Sequence, residues 1–211
     1  QKYGAVMSHV KIAASAAEVH VARLGTGGAR LVIGCDLVVS ASGDALDKMS
    51  AGRTRAVVNG TTSPTAAFVK NPDWQLPGSD LAHDIAEACG GKGVDFVPAA
   101  QIATALMGDS IATNMFMLGY AWQRGVIPLS LAALEKAIEI NGAAVAMNRQ
   151  ALTWGRLYAH DPKRVQEAAR PSLPVEEPQA PRTLTETVKR RVTFLTAYQD
   201  AAYASRYRNL V

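Results

Sequence analysis

Hydrophobic and polar positions alternate along Ala5-Val-Met-Ser-His-Val-Lys-Ile-Ala13 and again along Glu18-Val-His-Val-Ala-Arg-Leu24. Both stretches predict half-buried strands able to pair side by side. The apolar run in Asp36-Leu-Val-Val-Ser-Ala-Ser42 predicts a different strand, one covered on both faces as in a parallel sheet. Ser42 then stands where a helix N-cap belongs, ahead of a helix over 43–49. Arg53–Asn59 reads as the next strand and closes a βαβ unit.

Beyond a connection holding Asn71-Pro72-Asp73-Trp74, helical spacing runs from Ser79 to Ala88 and stops at Gly90-Gly91. Val94–Val97 predicts a short strand closed by Pro98. Helical patterns follow over 102–108 and 111–124, with Met115, Leu118, Gly119 and Trp122 on one face as a core stripe. Ser130 caps a helix to Asn141 with Leu131, Leu134 and Ile138 inward, and a last body helix spans about 143–158. Pro171, Pro174, Pro178 and Pro181 mark an extended linker. After it, 184–210 reads as a helix with Phe194, Tyr198, Tyr203 and Tyr207, more aromatic surface than one helix can bury. The pattern is α/β: a Rossmann-like open sheet with flanking helices over 1–160, a Pro-rich linker over 161–183, and a C-terminal helix over 184–211 that begins a further domain. No internal repeat is present.

Composition narrows the picture. With 211 residues, 48% hydrophobic and 19% charged, the chain has the make-up of a folded protein with a substantial core. Its apolar runs are far shorter than the roughly 20 residues a membrane span requires. The net charge of +4 does not sit on the body: residues 1–160 carry a balance of +1, and 161–211 supply +3. A nucleic-acid partner would call for a basic stripe on the folded domain, and the dense run Lys189-Arg190-Arg191 falls in the tail helix, so none is expected. Two cysteines, Cys35 and Cys89, are too few for a disulfide framework or a four-thiolate cluster site and fit a reducing, cytoplasmic setting.

The chemical motifs are sparse. Gly25-Thr26-Gly27-Gly28 follows a strand, as phosphate loops do, but too few residues separate it from Asp36 for a crossover, which favours a turn. Asn59-Gly60-Thr61-Thr62, with Ser40 and Ser42 at the preceding strand end, occupies the carboxyl side of a parallel sheet, where ligands gather. These positions are either cofactor contacts or capped turns. His9, His20, His83 and His160 form no ligand spacing, and no Gly-x-Ser-x-Gly elbow is present. In Gly108-Asp109-Ser110, Ser110 reads as a helix cap.

The blocks Gln1–Ala13, Gly34–Ser42, Arg55–Asn59 and Asn71–Trp74 occur in an order that resembles the gamma-type domain of 2-oxoacid:ferredoxin oxidoreductases, most closely the long fused indolepyruvate ferredoxin oxidoreductases. The resemblance spans about residues 1–160, and Arg191–Tyr203 is similar to the start of the following domain in those chains. It implies oxidative decarboxylation of a 2-oxoacid to an acyl-CoA, with electrons passed to ferredoxin. Thiamine diphosphate, Mg2+ and iron–sulfur clusters would be held mainly by other domains, CoA would be co-substrate, and the full-length enzyme would be a homo-oligomer. This chain would supply a wall shaping the approach of CoA and no catalytic residue or metal ligand. Lys2, Tyr3, Ser8 and His9 are the matching positions nearest a ligand face, joined by Asn59 as a cofactor-binding candidate. The family's Gly-rich first strand, turn and helix would precede Gln1. Their absence leads to the expectation of an N-terminally truncated piece, inactive alone, with the faces of Val38 and Val57 uncovered. The alternatives are a stand-alone nucleotide-binding enzyme using Gly25–Gly28 and Asn59, and an interaction module.

Overall fold

A computed structural model describes residues 5–61, 78–170 and 183–211. Residues 1–173 form one compact unit and 174–211 a second. The first unit is built on a parallel three-stranded sheet in the order β1 (Leu31–Gly34), β2 (Arg55–Asn59), β3 (Val94–Val97). Leu31 is in register with Arg55, and Ala56 with Val94. Both outer strand edges are unpaired among the described residues.

Successive residues of β2 point to opposite faces, so its side chains feed two cores. Ala56 and Val58 pack with Leu37, Met49, Ile85 and Cys89, drawing on α1 (Leu37–Ser40), on the segment after α2 (Gly43–Leu46), and on α3 (Gly78–Ala88). Val57 faces the other way, into a larger cluster with Phe116 and Met117. That cluster is supplied by α4 (Ala99–Met107), α5 (Thr113–Gln123), α7 (Val145–His160) and α8 (Pro162–Ala169). The fold is therefore α/β, a small parallel sheet between helical layers, as the pattern predicted. At about 1.5–3 kcal/mol for each large apolar side chain buried, these two clusters hold the unit together.

The tightest packing joins α5 to α7. A Cβ on Gly119 would collide with the carbonyl of Leu152, and one on Gly155 with the carbonyl of Phe116. Only glycine lets the two backbones touch there. Between them α6 (Leu131–Asn141) lays Leu134 and Ile138 inward, capped by Ser130, whose hydroxyl accepts from the Ala133 N–H at 3.2 Å.

Several expectations change. Residues 5–13 and 18–24 are not strands: they run as irregular chain, with Val6, Val10, Ile12 and Val21 exposed, because no neighbouring strand completes a ladder for them among the described residues. The stretch 36–42 is not a strand but the short helix α1 followed by the cap of α2. The Asp36 carboxylate accepts from the Val39 N–H at 2.8 Å and starts α1, while Ser42 caps α2. The strand that enters the sheet here is β1, a few residues earlier. On α5 the buried residues are Thr113, Phe116, Met117, Gly119 and Ala121, while Met115, Leu118 and Trp122 are half-buried. Asp109, not Ser110, caps the turn before α5, accepting from the Ile111 N–H at 2.9 Å. Val57 is sealed, not bare. The expected linker begins too early, since Asp161 caps α8 and Val165 and Ala169 are fully buried. The prolines at 171, 174, 178 and 181, like Asn71–Trp74, lie outside the described residues.

The second unit is a helical hairpin and not one helix. Its first helix, α9 (Leu184–Tyr198), starts with a Thr183–Glu186 capping box, and the chain breaks at Gln199 before Asp200 caps α10 (Ala201–Leu210). Phe194 and Tyr198 stack on its surface, 59% and 72% exposed.

Candidate functional site

The carboxyl ends of the three strands form one rim: Cys35 and Asp36 after β1, Gly60 and Thr61 after β2, Pro98 and the first turn of α4 after β3. One buried side chain joins all three. Asn59, the last residue of β2, points to the Val57 side of the sheet and is 4% exposed. Its Nδ2 donates to the Cys35 carbonyl at 3.2 Å, and its Oδ1 accepts from the N–H of Ala100 at 3.1 Å and of Thr61 at 3.3 Å. Both lone-pair sites of the amide oxygen are thus in use. Pro98 offers α4 no side-chain cap, so Asn59 performs that service from the neighbouring strand. Thr61 Oγ1 is buried without a partner among the described residues.

The thiols are not activated. Burial pushes the Cys35 thiol up, and the neighbouring Asp36 carboxylate adds to the effect, so it stays protonated at neutral pH. Burial likewise raises Cys89, whose Sγ rests 3.7 Å from the Met49 sulfur. Cys35 packs with the Val57 cluster and Cys89 with the Val58 cluster, on opposite faces of the sheet. The pair cannot serve one iron–sulfur cluster, and no group of three or more His, Cys, Asp or Glu is placed to hold a metal ion among the described residues. The donor set of the described residues therefore does not fit Mg2+ or a cluster.

The Gly-rich stretch is a turn. Gly28 N–H donates to the Gly25 carbonyl at 3.1 Å, Gly27 N–H to Asp47 at 2.7 Å and Ala29 N–H to Lys48 at 2.9 Å. With those amides committed to the chain's own carbonyls, no phosphate cradle forms. Of the other candidates, Ser8 is exposed and His9 half-buried. His9 Nδ1 accepts from the Leu24 N–H at 3.0 Å, which places the proton of the neutral ring on Nε2. Lys2 and Tyr3 lie outside the described residues. The structure thus joins Asn59 to Cys35, Thr61 and Ala100, and ties His9 only to the chain near Leu24. Sequence reasoning found Asn59 but not its two distant partners, Cys35 and Ala100, which are 24 and 41 residues away.

Residues 1–158 match the family model described as pyruvate ferredoxin/flavodoxin oxidoreductase. The chain belongs to that family. Comparison with curated proteins and with solved structures gives no match. Membership makes this chain a component of a 2-oxoacid:ferredoxin oxidoreductase, an enzyme type that generally uses thiamine diphosphate, iron–sulfur clusters and CoA. In open α/β sheets ligands gather outside the carboxyl ends of the strands, and that is where this rim lies. Among the described residues no helix is long and apolar enough to cross a membrane.

Proposed function

We propose that this chain is the gamma-type domain of an indolepyruvate-type 2-oxoacid:ferredoxin oxidoreductase, where it forms a wall along which CoA approaches. The observation that supports the reading most is the rim itself: three strand ends tied together by Asn59, with no metal-binding cluster and only a protonated thiol beside them among the described residues. A wall of that kind binds and orients. The thiamine diphosphate, Mg2+ and clusters of the assembled cytoplasmic enzyme, a homo-oligomer delivering electrons to ferredoxin, supply the decarboxylation and the electron path from other domains. Here the chain's own residues act on the co-substrate. The positive end of the α4 dipole favours an anionic group, Lys2 offers a point charge to a phosphate, and Tyr3, Ser8 and His9 Nε2 offer further polar contacts.

Purified alone, the chain is expected to show no decarboxylase activity. Co-expression with the thiamine-bearing domains is expected to restore CoA-dependent ferredoxin reduction with an arylpyruvate. Turnover by the isolated chain would overturn the reading, and full activity of a Lys2→Ala enzyme would remove Lys2 from it.

A further inference from the structure

We propose that Asn59 is a positioning residue for CoA, acting through the main chain it holds instead of touching the co-substrate; this rests on the reading of the strand-end rim as the CoA wall. Its side chain is too enclosed to be a contact. All of its influence passes to Cys35, Thr61 and Ala100, each lying at a different strand end. Asparagine meets the demand with two separate atoms, an Nδ2 donor toward the Cys35 carbonyl and an Oδ1 acceptor toward the Thr61 and Ala100 amides. Aspartate would keep the acceptor but turn a buried charge toward the Cys35 carbonyl, and alanine would leave two amides and a carbonyl without a partner. The tether also fixes Thr61, whose buried hydroxyl oxygen has no partner among the described residues. A rim held from beneath keeps its three strand ends in a set geometry before the ligand arrives, and that lowers the cost of binding.

The test is a pair of full-length enzymes, Asn59→Asp and Asn59→Ala, assayed for KM and kcat with CoA as the varied substrate. The KM for CoA is expected to rise about tenfold, as loss of one such hydrogen bond implies, with kcat within about threefold. A merely structural role would reduce the amount of active enzyme and so lower kcat at constant KM; an unchanged KM overturns the proposal whether or not kcat falls. Should the variants fail to fold, hydrogen exchange in the wild-type enzyme decides. Added CoA is expected to slow exchange at the Thr61 and Ala100 amides, and no slowing there overturns the proposal. Slowing elsewhere on this chain but not at the rim would leave the CoA wall standing without Asn59. No slowing anywhere on the chain would remove both.

Discussion

The arm at residues 5–13 and strand β2 are both rich in apolar, strand-favouring residues, yet they have opposite fates. Val57 is 2% exposed, whereas Val10 is 74% exposed. The difference lies in neighbours, not propensity. β2 has a strand on either side, so every second residue meets a core on one face and every other residue meets a core on the opposite face. The arm has no ladder partner among the described residues, and its main tie is the Leu24 N–H donated to His9. A period of two specifies which side chains will share a face. It does not specify that a face will be covered.

Three measurements sharpen this contrast. The largest effect is expected where the body is tightest. Gly155→Ala forces a methyl into the Phe116 carbonyl and is expected to cost about 3 kcal/mol or more in urea unfolding, whereas an alanine on the arm at Ser8 changes stability by under about 0.5 kcal/mol. Equal losses at the two sites would break the comparison. Next comes the same change made twice: Val57→Ala is expected to lower stability by about 2 kcal/mol, and Val10→Ala to leave it unaltered within about 0.5 kcal/mol. The smallest effect is kinetic. With its folded pKa raised, Cys35 is ionised less than an ordinary thiol at every pH below its own midpoint. Iodoacetamide should therefore modify it more slowly at pH 8 than a cysteine placed on the arm by Ser8→Cys, and the gap should narrow as pH rises. Equal rates at pH 8 would refute the shielding of the rim.

What was legible in the sequence was local. Ser42, Ser130 and the stop at Gly90 act within three or four residues of themselves, so their roles could be read directly. Leu37-Val38-Val39 was misread because a short apolar run has no period to distinguish strand from helix. What decides for helix is the Asp36 carboxylate on the Val39 amide, together with the Ser40 hydroxyl donated to the Asp36 carbonyl. The linker was expected from residue 161, although Asp161 followed by proline is a helix start. The site was half visible: the end of β2 was a reasonable place to look. The reach of Asn59 to Cys35 and Ala100 was invisible, because it depends on which strands lie side by side.

The bare margins of the sheet have a practical consequence. Each outer strand has one edge without a strand partner among the described residues, four residues long in β1 and in β3. At the concentrations of a purification column, another molecule can supply that partner. Loss of material on storage should thus grow with protein concentration, and a lysine placed at Phe96, an exposed side chain on β3, should slow it without disturbing either hydrophobic cluster.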